Sequence, residues 1–476
     1  MHIEGYLEDI NFFADTNDPT VTYAEVEVPA VGASDTPYKM FVNIDDEKLK
    51  SYVRLVVIKN AGIKASAAEL IQEAKDILSL GGNFDTVAPR VRTAGKLSGG
   101  LIEYDLNTPS HEYVKITPKG WWLTNKTRHK FLKRNTLGTQ VCPQETDKHL
   151  IDLLRQHINM DEDSLILFVA WLAQSFCMGN HACVLLTAEA GSGKTSLSTK
   201  VRRVIDPSNL KTSVMSDKKD DIFATLSNSY FVAFDNLTDA IGKDISDILC
   251  TAITGATIAK RKLYTTNELG VYELHSTILL NGVETVPTQS DLASRCLLFN
   301  LKAIDEKTRK TDEELTAAFE QDLPEILGAI FNTLSKAMTI IKTLRPQKLP
   351  RMASAYTEML AIAIAFGVSE ADFERIFFDN IASLDKARSN IAIVEAVQEY
   401  MNSAYVPGRF VEGKVTDLYT KICANYSGSK KDLPKSASHF SRKLKQEFKT
   451  FNAIGLTVNL DDTPADGTRL KIIKNK

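Results

Sequence analysis

The feature that most constrains this chain is a glycine-rich turn between an apolar run and a helical pattern. The apolar run covers residues 183–187, Ala-Glu-Ala-Gly-Ser-Gly-Lys-Thr follows at 188–195, and a helical pattern continues at 196–204. In this order of strand, turn and helix, backbone amides can surround phosphate oxygens at a helix N-terminus. The turn therefore predicts a nucleotide-binding P-loop. Its predicted binding residues are Ala188 (in place of the usual first Gly), Glu189, Ala190, Gly191, Ser192, Gly193, Lys194, Thr195 and Ser196.

Two later strand patterns end in polar residues and supply the companions that a P-loop needs. The run 230–234 ends in Asp235 and Asn236, and the run 276–280 ends in Asn281. Lys194 is predicted to contact the β- and γ-phosphates of ATP, and Mg²⁺ is predicted to be held by Thr195 and by Asp235 through its water shell. Asn236 can orient a water but cannot take its proton, so the general base is unassigned. The weak candidates for that base are Glu189, Asp220 and Asp221.

Composition is that of an ordinary globular protein. The 476 residues carry 57 Lys and Arg against 60 Asp and Glu, and the length suggests about three domains. The six cysteines are far apart, which favours a reducing compartment without structural zinc. The most apolar stretch, 164–178, is too short to span a bilayer, so we expect a cytoplasmic protein with no membrane partner.

The hydrophobic pattern divides the chain into four predicted domains. Residues 1–140 read as a β-rich α+β domain of unknown role, and 146–305 alternate helices and strands as in a parallel sheet. Residues 306–388 read as a helical lid or collar. Residues 391–476 read as three helices and a strand pair that resemble a winged helix, with 436–449 as the recognition helix. This last segment carries 14 Lys and Arg against nine Asp and Glu, which favours DNA over a protein partner, although a winged helix can bind either.

Four short strings carry a resemblance to a known family. They are Phe234-Asp235-Asn236-Leu237, Arg261-Lys262-Leu263-Tyr264-Thr265, Leu280-Asn281-Gly282-Val283 and Leu349-Pro350-Arg351-Met352. In their order they resemble the superfamily 3 helicases of the AAA+ class, especially those of phages, plasmids and other mobile elements, which are often fused to a primase. The resemblance covers roughly residues 90–476. It implies an α/β fold with an AAA+ P-loop NTPase core, an N-terminal α+β domain, a helical lid and a C-terminal winged helix.

The resemblance also implies residue roles. Asn281 would be the sensor that places the attacking water, and Arg295 would be an arginine finger in the neighbouring subunit's site. For Arg295 a surface position or a sensor role in its own subunit remains open, and Arg351 matches without an assigned role beyond a subunit contact. The implied DNA-binding residues are Lys260, Arg261 and Lys262 on a channel hairpin, which could equally be a solvated turn, and Arg442, Lys443, Lys445 and Lys449 on the recognition helix.

The implied function is an ATP- and Mg²⁺-dependent DNA helicase or translocase that replicates a phage or other mobile element. Its expected partners are single-stranded and forked DNA, further copies of itself in a homo-hexamer, and a primase or replication initiator. The alternative is an ATPase switch or scaffold that assembles a DNA-bound complex without unwinding. Processive strand displacement separates the two hypotheses.

Overall fold

A computed structural model gives the architecture of most of the chain. It describes residues 10–18, 21–28, 38–54, 66–79, 85–134, 136–188, 191–237, 241–261, 269–282, 287, 289–302, 304, 310–403, 410–428, 430–463 and 467–475. Within these ranges, no helix combines the length and the apolar character needed to cross a membrane.

The N-terminal unit is a four-stranded sheet with two helices. Its elements are β1 (Ile10–Asp15), β2 (Thr22–Val28), β3 (Tyr38–Asn43), α1 (Glu47–Tyr52), α2 (Ala67–Ser79) and β4 (Thr86–Val87), and the sheet order is β3-β2-β1-β4. A capping box begins α2, since Glu69 N–H donates to Ser66 Oγ and Ser66 N–H donates to Glu69 Oε2. The unit has a small core of its own around Val26, Val42 and Ile71.

A second, antiparallel sheet follows and belongs to a different core. Its strands are β5 (Thr93–Ala94), β6 (Ile102–Asp105), β7 (Tyr113–Thr117) and β8 (Gly120–Thr124), in that order. Ile102, Tyr104 and Val114 are fully buried in the same cluster as the parallel sheet described next. The β-rich region predicted for residues 1–140 thus contains two sheets with two separate cores.

A five-stranded parallel sheet forms the centre of the molecule. The elements of this region are α3 (Leu150–Arg155), α4 (Glu162–Gln174), β9 (Cys183–Thr187), α5 (Lys194–Ile205), β10 (Ser213–Val214), α6 (Lys219–Ser227), β11 (Phe231–Leu237), α7 (Lys243–Thr254), β12 (Thr257–Arg261), β13 (Leu269–Glu273), β14 (Thr277–Gly282), α8 (Ser290–Ala293) and β15 (Cys296–Asn300). The order of the sheet is β10-β11-β14-β9-β15, while β12 and β13 form a separate antiparallel hairpin. Because all five strands are parallel, their carboxyl ends meet at one edge, where ligands of such sheets bind.

Three long helices follow the parallel sheet. They are α9 (Asp312–Ile340), α10 (Ala353–Ala365) and α11 (Glu370–Asn402). Helix α10 packs against α4, and its buried residues belong to the same core as the parallel sheet. The segment predicted as a lid or collar is therefore joined to the parallel sheet by a continuous core.

The C-terminal unit comprises three short helices and a three-stranded antiparallel sheet. Its elements are β16 (Phe410–Lys414), α12 (Val415–Asn425), α13 (Ala437–Gln446), α14 (Phe448–Ala453), β17 (Leu456–Thr463) and β18 (Gly467–Lys474), and the sheet order is β16-β18-β17. Strand β16 was not predicted. The predicted recognition helix is divided at Glu447, and Phe451 from its second part is fully buried.

Helix α11 crosses the domain boundary that the sequence pattern placed between 388 and 391. Its first half contributes Phe373 and Leu384 to the large core, and its last turns contribute Ile393 and Val397 to the C-terminal core. No glycine or proline interrupts residues 370–402, so nothing in the sequence ends the helix where the core changes. The boundary is thus a change of packing partner within one helix.

A buried ion pair ties the second sheet to the end of α5. Arg92 is about 1% exposed, and its Nε donates to Asp206 Oδ1 at 2.9 Å. Its other nitrogens donate to the carbonyls of Asp105, Gly138 and Pro207 at 2.9, 2.7 and 2.8 Å. Removal of one partner of such a pair leaves a buried charge uncompensated.

We expect Arg92→Met to destabilise the protein by about 3–5 kcal/mol, because Asp206 would stay buried without its guanidinium. Thermal unfolding followed by circular dichroism measures the effect as a lower midpoint. The exposed Arg345→Met is the matched control and should leave the midpoint within a degree or so of wild type. An Arg92→Met midpoint equal to that of the control would contradict the assigned role.

A second buried charge predicts how stability depends on pH. Glu358 on α10 is 8% exposed and accepts a hydrogen bond from Gln174 Nε2 at 2.9 Å. Burial raises the pKa of Glu358 to about 7, partly offset by the Gln174 hydrogen bond. The folded chain therefore binds a proton here more tightly than the unfolded chain, so stability falls as pH rises from about 4.5 to 7.

Glu358→Gln removes this ionisation and keeps an acceptor for Gln174. We expect it to raise stability by about 2–3 kcal/mol at pH 8 and to change it little at pH 4.5. Urea unfolding at the two pH values tests this, with the exposed Glu145→Gln as control. A gain from Glu358→Gln that is equal at both pH values would contradict the assignment.

Candidate functional site

The glycine-rich turn lies where a phosphate-binding loop requires it. It connects the carboxyl end of β9 to α5, which begins at Lys194. Gly191 and Gly193 have φ angles of +78° and +85°, a region that glycine adopts without the strain of a side chain. Glu189 and Ala190 lie outside the described residues. Lys194 Nζ donates to the carbonyl of Ala188 at 2.7 Å, so the amine reaches back across the loop.

Asp235 and Asn281 are brought together beside the first turns of α5. Their strands β11 and β14 are neighbours, and β14 also pairs with β9, so all three carboxyl ends are adjacent. Asn281 Nδ2 donates to Asp235 Oδ1 at 2.7 Å and lies 3.4 Å from Ser198 Oγ. Ser198 in turn donates to the carbonyl of Lys194 at 3.0 Å. The start of α5, the Asp235 carboxylate and the Asn281 amide thus form one connected cluster. Ser198, which links them, was not predicted.

Asn236 occupies a bulge at the end of β11. Its φ is +58°, and the register between β11 and β14 shifts between Phe234 and Leu237. Asn is among the few residues other than Gly that adopt this left-handed conformation readily, whereas Glu does so at a cost. The local backbone therefore favours Asn over Glu at this position, and it would accept Asp equally well. The bulge also brings Leu237 so close to β14 that a Cβ on Gly282 would lie 2.2 Å from the Leu237 carbonyl oxygen.

Two of the three candidates for the general base can be located. Asp220 and Asp221 lie in the first turn of α6, which follows β10, and Val214 on β10 pairs with Asp235. They are thus at the same edge of the sheet as the P-loop. Asp221 Oδ2 accepts a hydrogen bond from Ser216 Oγ at 2.9 Å. The third candidate, Glu189, lies outside the described residues.

The residues of this edge fit a nucleoside triphosphate with Mg²⁺. Two glycines and a helix N-terminus suit an anion, and Lys194 adds a positive charge. Thr195 supplies an exposed hydroxyl and Asp235 a buried carboxylate. Within the described ranges, no three His, Cys, Asp or Glu residues converge as a metal site. Mg²⁺ suits such a site, because it keeps several waters and takes one or two carboxylates.

Arg295 lies at the opposite edge of the sheet from its own P-loop. Its carbonyl accepts from Cys183 N–H at 2.9 Å, at the start of β9, whereas Ala188 follows the end of that strand. Five residues of strand correspond to roughly 16 Å. This separation disfavours the alternative in which Arg295 acts as a sensor in its own subunit.

A carboxylate holds Arg295 together with Arg351. Arg295 Nη1 lies 2.5 Å from Asp291 Oδ2, and Arg351 Nη2 contacts Asp291 Oδ1. Arg351 Nη1 also donates to Ser294 Oγ at 2.7 Å. Hydrogen bonds from Arg295 and then Arg351 hold the pKa of Asp291 well below its usual range. Two guanidinium groups are thus fixed on one short segment, and Arg351, which had no role from sequence, is part of that cluster.

The basic hairpin lies at the same edge as Arg295, because it connects the end of α7 to the start of β14. Lys260 and Arg261 belong to β12, while Lys262 lies outside the described residues. The N-terminal unit contacts the base of the hairpin, where Val271 N–H donates to Asp18 Oδ2 at 3.4 Å. Arg90 lies 3.8 Å from Glu273 on β13. The hairpin is thus braced from outside the parallel sheet.

The four basic residues predicted on the recognition helix do not share one surface. Arg442 and Lys445 on α13 are exposed. Lys443 is 7% exposed, its Nζ bonds Asn390 on α11, and burial lowers its pKa. This position follows from helix geometry, since Lys443 lies beside Leu444 and three residues after Phe440, both of which are fully buried. Lys449 belongs to the next helix, α14.

The protein thus has a mixed α/β fold with a parallel sheet, and a glycine-rich P-loop sequence follows β9 at the carboxyl edge of that sheet. Residues 151–383, just under half of the chain, match the family described as the Actinomycete integrative conjugative element replication protein. The segment that contains the P-loop is therefore similar to replication proteins of conjugative elements. No curated protein matches the chain.

Solved structures give weaker likenesses. The A form apo structure of the NrS-1 C-terminal region has 11% identity and a TM-score of 0.40, over 98% of this chain and 97% of that chain. The apo structure of NrS-1 C-terminal region (305–718) has 13% identity and a TM-score of 0.39 over the same shares. JCV helicase bound to a thiazolopyridine acetamide has 16% identity and a TM-score of 0.26, over 51% and 63%. TM-scores this low do not establish a shared fold.

Proposed function

We propose that this protein binds and hydrolyses ATP with Mg²⁺ at the carboxyl edge of its parallel sheet. The observation that carries the proposal is the buried Asp235–Asn281 pair, joined at 2.7 Å and connected through Ser198 to the P-loop helix. Lys194 and the loop amides bind phosphate oxygens, and Thr195 and Asp235 hold the cation. Asn281 and Asn236 orient the attacking water.

We further propose that the active species is a ring, with a homo-hexamer as the expected form. Arg295 is held by Asp291 at the edge opposite its own loop, so a role in phosphoryl transfer requires a neighbouring subunit. A head-to-tail interface that closes on itself brings one subunit's arginine edge to the next subunit's loop edge. Arg351 shares Asp291 and is assigned to the same interface.

We propose that ATP hydrolysis drives movement along single-stranded and forked DNA during replication of a mobile element. The family match over residues 151–383 supports the replication role. Lys260 and Arg261 on the braced hairpin are assigned to the DNA backbone, a kind of contact that does not read sequence. Helices α9 to α11 are assigned as the lid or collar, and the C-terminal unit as a winged helix that contacts DNA through Arg442 and Lys445.

The rival function is an ATPase switch or scaffold, and Asn236 in place of a carboxylate is the observation that favours it. The test is ATP hydrolysis with and without single-stranded DNA, on wild type and on Lys260→Ala/Arg261→Ala. For a motor we expect DNA to stimulate wild-type hydrolysis several-fold, and we expect the double variant to lose the stimulation but keep the basal rate. Hydrolysis that is the same with and without DNA in wild type would favour the switch.

A further inference from the structure

A segment of unusual charge surrounds β7 and β8. Residues 113–134 contain seven Lys and Arg and no Asp or Glu, although the whole chain has a net charge of −3. Lys130 pairs with Glu25 at 2.5 Å, Lys133 pairs with Asp105 at 2.7 Å, and two nitrogens of Arg134 are buried in the fold. The other four lie around β8, and one of them, Lys115, also pairs with a carboxylate, that of Glu103.

The centre of this segment is a pair of tryptophans with opposite orientations. Trp121 faces inward, where its Nε1 donates to Asn332 Oδ1 at 3.0 Å and its ring packs on Phe331. Trp122 faces outward and is 47% exposed, on β8, which is an edge strand of its sheet. A tryptophan this exposed is unusual, since large aromatic side chains are mostly buried. Because Trp121 already provides the packing, the fold does not require an aromatic residue at Trp122.

Positive charge is concentrated around this ring. Lys115 lies opposite Trp122 in the β7–β8 pairing, and Lys119, Lys126 and Arg128 are exposed in the adjoining turns. The acid that Lys115 contacts, Glu103 at 3.2 Å, has a fully buried side chain and so presents no negative surface beside the ring. An exposed aromatic face among cations suits an unpaired base whose flanking phosphates need neutralising.

The sheet that carries Trp122 is also linked to the basic hairpin. Arg90, which precedes β5 by three residues, lies 3.8 Å from Glu273 on β13. Gly95, directly after β5, accepts a hydrogen bond from Met178 N–H at 2.7 Å, in the segment that leads into β9. The sheet and the hairpin therefore both pack at the edge of the parallel sheet opposite the P-loop. A single DNA strand that leaves the hairpin can therefore continue over this side of the protein.

We propose that Trp122, with Lys115, Lys119, Lys126 and Arg128, forms a stacking site for an unpaired base of single-stranded DNA. The site is separate from the hairpin and from the C-terminal unit. The proposal rests on the proposed function only in that the protein must bind single-stranded DNA at all.

The test is the affinity of the full chain for a fluorescent oligo(dT) of about 16 nucleotides, measured by anisotropy without ATP. We expect Trp122→Ala to weaken binding about tenfold or more, because it removes the stacking face. Trp122→Phe should stay within about threefold of wild type, because it keeps one. Leu210→Ala, at another apolar residue that is 47% exposed, is the matched control and should bind as wild type does.

A salt titration tests the cations separately. The double change Lys119→Ala/Lys126→Ala should reduce the slope of log affinity against log salt by about 1.4, or 0.7 for each lost phosphate contact. DNA-free ATP hydrolysis should be unchanged in every variant of this surface, because none of these residues is at the P-loop edge.

The outcomes separate this proposal from the proposed function. If wild type binds oligo(dT) and Trp122→Ala binds it equally well, the stacking site is refuted while the motor proposal stands. Equal losses in Trp122→Ala and Trp122→Phe would also refute the stacking site. A preference for oligo(rU) over oligo(dT) would refute DNA as the ligand of that site. If wild type fails to bind oligo(dT), the DNA part of both proposals falls.

Discussion

Replacement of Lys194 by alanine is expected to reduce ATP hydrolysis by a factor of about 100 or more. Lys194 is the first residue of α5, and its Nζ already lies within the loop, 2.7 Å from the Ala188 carbonyl. In the proposed complex this amine stabilises charge that develops on the phosphoryl oxygens. Loss of one such preorganised donor typically lowers turnover by about 10²–10³. Phosphate release measured at saturating ATP and Mg²⁺ gives the result.

The control for this prediction is Lys243→Ala, which removes an exposed lysine at the start of α7. It should hydrolyse ATP at the wild-type rate. Thermal unfolding of both variants checks that any loss is not a loss of folded protein. Wild-type hydrolysis in folded Lys194→Ala would show that the turn after β9 is not the catalytic loop.

Arg295→Ala is expected to lower hydrolysis by about 10³ while nucleotide binding is preserved. The reason is the position of Arg295 at the edge opposite its own loop. In the proposed ring, it would act in a neighbour's site. ATP binding measured by equilibrium titration should match wild type. Arg345→Ala, at an exposed arginine, should retain full activity.

Mixing two inactive variants tests the action between subunits directly. In a mixture of Lys194→Ala and Arg295→Ala chains, an interface works when an intact loop meets an intact arginine. With random exchange at equal amounts, about a quarter of the interfaces qualify, so up to about a quarter of wild-type hydrolysis should return. Two inactive variants that remain inactive when mixed, despite proven co-assembly, would contradict the trans role.

The parallel sheet and its loop were predictable because each of their signals is local. A strand, a glycine turn and a helix follow one another within about 25 residues, the run 230–234 before Asp235 is uniformly apolar, and Asn281 follows three apolar residues. The strands observed at 183–187, 231–237 and 277–282 agree with those predictions to within a residue or two. What the pattern did not reveal was Ser198 as a link, since a serine inside a helix has no sequence signal.

Prediction and structure differ where contacts between residues far apart in the sequence determine the structure. Helix α11 runs through the predicted boundary, because the change of core between Leu384 and Ala392 needs no break in the backbone. Lys443 is buried against Asn390 although its neighbours Arg442 and Lys445 are exposed, and a lysine in a basic run does not reveal which side it faces. The bulge at Asn236 has no signal in the sequence, and its left-handed backbone favours Asn over Glu there.

The most direct test of the central claim is strand separation on a forked duplex by the full chain with ATP and Mg²⁺. The account predicts that wild type displaces the strand, that a non-hydrolysable ATP analogue does not support displacement, and that Lys194→Ala displaces none. It would be contradicted if wild type hydrolysed ATP, bound the fork and released no strand, in which case the switch or scaffold function would stand.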